Sequence, residues 1–275
     1  MVNTARRFFD LLEPICLVTF FAPECADELA ALGHGNYWDG YFASRAAPLG
    51  QVPAEVVHAA FYNFADGEAA RHIPSAWEKI PPEESVAARE RGSAASVRRI
   101  IGDELAGSPG LVRAADLTAK AAASAPMVGR VMYAGMRSLP IPTDPVARLW
   151  HSATTLREHR GDGHIAALVS AGIGGTEAHV LTALEMGIHP PETFGRIHHL
   201  PKKRLAAVMD GLRERGVVDA EGWFTDAGRE LKQRIEDLTD ELAAPPYDAL
   251  SPAEREELVA VLEPISAKLV TAGSK

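Results

Sequence analysis

Leu205, Val208, Met209 and Leu212 recur at intervals of three and four, with Ala206, Ala207, Asp210 and Gly211 at the positions between them. That spacing is one face of a helix. Nearly every segment of the chain reads the same way, because alanine is abundant, β-branched runs are scarce and helix punctuation is frequent. Thr143-Asp144-Pro145 offers a capping side chain and then a proline in the first turn. Ser251-Pro252-Ala253-Glu254 has the spacing of a capping box. Thr176-Glu177 after Gly174-Gly175, Pro53 and Pro201 each predict a further helix start. Gly161-Asp162-Gly163 predicts a break, with His164 beginning the next helix. Near the N-terminus, Arg6-Arg7 precede Phe8, Phe9 and an apolar run from Ile15 to Ala22. Asp10, Glu13 and Pro14 interrupt it, so the reading is a buried helix, not a leader peptide.

Two short extended runs stand apart from this pattern. Val217-Val218-Asp219 and Trp223-Phe224-Thr225 flank Glu221-Gly222, a hairpin turn signal. A helix from Glu177 to Glu185 and a short helix after Pro190-Pro191 through Ile197 come first. Then follow the helix from Pro201, the hairpin and a long helix opened by Thr225-Asp226. This is the order of a winged helix-turn-helix. The expected fold is therefore all-α with a small β-wing. Ser108 to Pro142 is rich in glycine and proline and suggests a junction. The expected division is an N-terminal helical bundle over residues 1–142 and a winged-helix-like domain with long C-terminal helices over 143–275. The alanine-rich, mixed-charge stretch from Pro81 to Gly107 reads as a solvated helix.

The stretch LRERGVVDAEGWFTDAGRELKQRIEDLTDEL, Leu212 to Leu242, resembles the recognition-helix end, wing and following helix of the MarR family. LSPAEREELVAVLEPI, from Leu250, resembles that family's C-terminal helix. LWHSATTLREHRGDGHIAAL, from Leu149, resembles a SalK-like actinobacterial group of MarR-like proteins whose function is unsettled. The resemblance implies a ligand-responsive transcriptional regulator acting as a homodimer, with Lys202, Lys203 and Arg204 touching DNA phosphates. The wing departs from the family: it is short and lacks the Asp-x-Arg pattern.

Charge changes this picture. The 275 residues carry a net charge of −9. From Glu177 to Glu230 there are seven Lys and Arg against nine Asp and Glu, a poor footprint for DNA. Two cysteines, Cys16 and Cys25, with no CxxC spacing, fit a reducing cytoplasm and no zinc knuckle. No apolar run is long enough to span a membrane.

The candidate chemistry lies between Leu149 and His164, which holds three histidines, two arginines, a glutamate and an aspartate. Buried charges must find partners, so one reading is structural, with Arg157, Glu158 and Arg160 in ion pairs. A second is a pocket for a small organic anion between the two halves, built from Tyr41, Arg45, His151, Arg157, Glu158, His159 and His164. Its aromatic wall would come from Tyr37 to Phe42 and Phe61 to Phe64. A third, least favoured, is a metal or haem held by His151, Glu158 and His164; no HExxH motif supports it. The second and third readings also allow an enzyme that keeps the winged helix only as scaffold.

Overall fold

The computed structural model describes residues 4–191 and 200–273. Its first helices are α1 (Thr4–Phe21), α2 (Pro23–Ala31), α3 (Tyr37–Ala46), α4 (Ala54–Phe61) and α5 (Ser75–Lys79). Next come α6 (Pro82–Ile101), α7 (Asp103–Ala106), α8 (Pro109–Ser124), α9 (Val131–Arg137) and α10 (Pro145–Ser170). The last are α11 (Gly175–Glu185), α12 (Lys202–Glu214), α13 (Asp226–Ala243) and α14 (Pro252–Gly273). The short helix expected through Ile197, with Arg196, His198 and His199, lies outside the described residues.

The helix starts follow local chemistry. Asp144 accepts from the Ala147 N–H at 2.9 Å and caps α10. Ser251 and Glu254 exchange hydrogen bonds of 2.9 and 3.2 Å, which closes the capping box of α14. Glu177 reaches back to the Gly174 N–H at 2.8 Å before α11. No single helix among the described residues is long and apolar enough to cross a membrane.

By contacts the chain groups into two interleaved units rather than two consecutive ones. The first comprises Met1–Val52, His72–Asp162 and Asp240–Lys275. Its core joins Phe8, Leu12 and Ile15 of α1 with Leu111 and Leu117 of α8, Leu149 and Ala153 of α10, and Leu262 and Ile265 of α14. The segment read as a junction forms α8 and α9 inside this unit. Helix α6, read as solvated, is central: Ser85, Ala88, Arg89, Gly92, Ser93 and Ser96 are buried. A Cβ on Gly92 would come within 2.7 Å of the Cys25 Cα, so only glycine lets α2 pack this closely.

The second unit comprises Pro53–Arg71 and Gly163–Thr239. Its core places Val180, Leu181 and Leu184 of α11 with Leu205, Met209 and Leu212 of α12 and Ile235 of α13. Helix α12 ends at Glu214, and Gly216 just beyond its C-cap Arg215 has a φ of +68°, which suits glycine.

Two expectations are corrected. The β-wing does not form: among the described residues there is no strand, only one isolated antiparallel bridge between Val218 and Phe224. The two arms do bond each other, Asp219 N–H to Trp223 O at 2.8 Å and Thr225 N–H to Val217 O at 3.1 Å, but a helix end bounds the pairing on each side. Val217 N–H bonds Leu212 O at 2.9 Å to finish α12, and Thr225 Oγ1 accepts from Gly228 N–H at 2.9 Å to start α13. Too few residues remain for a ladder. The helix also does not break at Gly161–Gly163, because α10 is continuous from Pro145 to Ser170. Asp162 is held in place by accepting from the backbone N–H groups of Met132 and Tyr133 at 3.3 and 2.9 Å. These tertiary bonds offset the cost of about 1 kcal/mol that each mid-helix glycine carries.

Candidate functional site

Six of the seven residues expected to build a pocket lie in the first unit, and His164 lies in the second. Glu158 is the centre of the six. It is 2% exposed, and Arg45 grips it through Nε at 3.4 Å and Nη2 at 3.2 Å. Arg157 Nη1 stands 3.7 Å from the same carboxylate, and Arg157 Nε donates to Glu13 at 2.7 Å. Arg45 Nη1 also donates to the Tyr41 hydroxyl at 3.2 Å. Arg160 pairs with Asp240 at 3.1 Å. The ion pairs read from the sequence are therefore present, with Arg45, Glu13 and Asp240 as partners from distant segments.

Burial and charge set the protonation states. Burial pushes the Glu158 carboxyl up, but Arg45 and Arg157 outweigh it, and the group lies below the usual carboxylate range. Burial, aided by the charge of Arg89, takes His151 down to about 4. Burial, aided by Arg130, takes His159 down to about 4, against a hydrogen bond to the Pro126 backbone. Both imidazoles are thus neutral near pH 7. Burial raises Asp162 to about 6 despite its two backbone donors. His164 is more open, with Nδ1 2.9 Å from Thr239 Oγ1 and 3.9 Å from Glu236. Among the described residues no group of three His, Cys, Asp or Glu side chains could hold a metal ion. The expected triple of His151, Glu158 and His164 does not form such a group.

Sequence reasoning passed over Arg89. It is 3% exposed on α6, its guanidinium lies 5.6 Å from the Trp150 ring, and Nη1 donates to Ser44 O at 3.4 Å. Its Nε has no acceptor among the described residues. The available signal was the run of small residues around it, which marks a close-packed face rather than a solvated one.

A cavity of about 510 Å³ opens next to this cluster, where the end of α1 meets α2 and α3. Phe20, Leu29, His34, Tyr37, Tyr41 and Ser44 contribute to its wall. The Phe20 and Tyr41 rings are 5.3 Å apart, and Tyr37 lies 6.2 Å from Tyr41. The aromatic wall expected from Tyr37 to Phe42 thus includes Tyr37 and Tyr41 here.

The other candidate surface begins α12. Lys202, Lys203 and Arg204 are all exposed in its first turn, and Arg204 pairs with Asp66. The opposite face is apolar and packs in the second unit's core through Leu205, Met209 and Leu212.

A model of a helix-turn-helix family matches residues 5–275. No curated protein and no solved structure matches the chain.

Proposed function

From a chain that belongs to this helix-turn-helix family, we propose a transcriptional regulator that binds DNA through α12 and responds to a small organic anion. Family membership supports a DNA-binding regulator in general terms. The single observation that carries the interface is the first turn of α12. Lys202, Lys203 and Arg204 are exposed there, on a helix whose other face is anchored by Leu205, Met209 and Leu212. Three cations at a helix N-terminus oppose the helix dipole, a mild cost that phosphate binding would offset. The order α11, α12, α13 is that of a MarR-like reader, without the wing.

The acidic balance of the region limits what one chain can do. Three cations neutralise few phosphates, so site-specific affinity calls for two chains presenting two α12 helices to successive grooves. The homodimer is therefore part of the proposal.

Fluorescence anisotropy with DNA from upstream of the protein's own gene tests it, read at 50 and 200 mM salt. The wild type binds at low salt with a steep salt dependence. Lys202→Ala with Lys203→Ala weakens binding to every sequence and lowers the salt slope by about 2 per chain. Absence of binding at low salt by folded protein overturns the reading.

A further inference from the structure

We propose that the cavity between the end of α1, α2 and α3 is the ligand site, and that it takes a hydrophobic monocarboxylate. This rests on the ligand-responsive reading above and names its site and ligand class. The volume of about 510 Å³ lies within the usual range for small-molecule sites. Among the described residues that line it, none is an aspartate, glutamate, lysine or arginine. Phe20, Phe21, Leu29, Tyr37 and Tyr41 offer the body of the ligand apolar and aromatic surface, and Thr19, His34, Asn36 and Ser44 are the neutral polar side chains of the wall.

Charge enters from behind that surface, at three points of the wall. The Arg157 guanidinium lies 5.5 Å from the Phe20 ring. Arg45 donates to the Tyr41 hydroxyl at 3.2 Å. Arg89 donates to the Ser44 carbonyl at 3.4 Å. The ion pairs of this cluster join Arg45 and Arg157 to Glu158 and Glu13, which leaves Arg89 without a carboxylate of its own among the described residues. Arg89 is also the member whose Nε has no acceptor among the described residues. His151 and Cys16 add no compensating charge: the imidazole is held neutral, and burial takes the thiol up to about 12.

A buried cation in excess by one unit favours one negative charge brought close in the same low-dielectric region. The Tyr41 and Ser44 end of the cavity is where a carboxylate comes nearest to Arg45 and Arg89. The Phe20, Leu29 and Tyr37 side takes the hydrocarbon. A neutral ligand of the same shape gains the apolar contact and none of the charge term.

Isothermal titration of the full chain with benzoate, 2-naphthoate and octanoate tests this, each compared with its own carboxamide. At least one acid binds once per chain, about tenfold tighter than its amide. Ala26→Trp, a change at an exposed position of the cavity wall, abolishes that binding without lowering the melting temperature. Arg89→Met keeps a long apolar stem and removes the excess charge, so the acid and its amide bind alike. The proposal is overturned if none of the three acids binds folded protein, if each amide binds as tightly as its acid, or if Ala26→Trp binds as well as the wild type. Anisotropy with DNA separates the two readings. Acid binding that leaves DNA affinity unchanged supports the site and counts against the regulator alone. DNA binding by protein that takes none of the acids overturns the site and leaves the regulator standing.

Discussion

Arg45 and Glu158, 113 residues apart in the chain, meet through two nitrogen–oxygen contacts of 3.4 and 3.2 Å in the interior of the first unit. Glu158 is the carboxylate that makes burial of Arg45 tolerable, and it also faces Arg157 at 3.7 Å. Glu158→Gln would leave buried guanidinium charge uncompensated. The expected loss is about 3–5 kcal/mol of stability, read from urea unfolding near pH 7. Arg45→Met combined with Glu158→Leu should lose less than Glu158→Gln alone, because the double change removes both charges. A double variant as unstable as the single one would show that the pair is not the source.

Stability should fall on mild acidification. His151 and His159 are held at about 4, below the ordinary histidine value of 6.5. The unfolded chain therefore binds more protons than the folded one as the pH drops from 6.5 toward 4, and stability drains away through that window. Asp162 acts oppositely. Raised from 3.8 to about 6, it keeps a proton in the folded state that the unfolded chain has lost, so it favours folding as the pH falls toward 4. Two imidazoles outweigh one carboxyl, and the net loss from pH 7 to pH 5 is on the order of 2 kcal/mol. Urea unfolding at the two pH values measures it. Gln at both His151 and His159 flattens the dependence, and Asp162→Asn steepens it.

Two helical glycines should respond in opposite directions to alanine. At Gly92 a Cβ would press within 2.7 Å of the Cys25 backbone, so Gly92→Ala should cost about 1–3 kcal/mol as α2 and α6 are forced apart. At Gly211 in α12 a Cβ meets nothing within 4 Å. Gly211→Ala should therefore stabilise by about 0.5–1 kcal/mol, through helix propensity alone. Melting temperatures of the two variants provide the comparison.

Asp162 also ties α10 to the start of α9, through the N–H groups of Met132 and Tyr133. Asp162→Ala should leave both donors without this partner and cost about 1–3 kcal/mol. Hydrogen exchange at Met132 and Tyr133 should accelerate more than exchange at Leu262 in α14. Equal acceleration at all three would mean that the loss is global and that the cap has no local role.

The readable part of this chain was its punctuation. Asp144 before Pro145 and Ser251 with Glu254 each announced a helix, because a cap is a bond between residues three apart, and Pro201 before Lys202 did so through proline's fixed φ. The exposed basic turn of α12 and the aromatics Tyr37 and Tyr41 were legible as residue types, and so was the need of Arg157, Glu158 and Arg160 for partners. The identity of those partners was not, since Glu13, Arg45 and Asp240 come from segments that only folding brings near. Arg89 escaped notice because a charge among small polar residues looks the same on a solvated face as in a close-packed one.

The sequence by itself thus determined an all-α chain, where most of its helices begin, and which residue types carry its chemistry. Those properties follow from hydrogen bonds and side-chain spacing within about a turn. Tertiary structure alone decided that α10 runs through Gly161 and Gly163, that the hairpin stays a single bridge, and that Arg89 stands buried behind Ser44. For α10 and the hairpin the competing local preference differs by only about 1 kcal/mol. A distant acceptor or a neighbouring helix cap is enough to override it, and a packed helix face decides for Arg89.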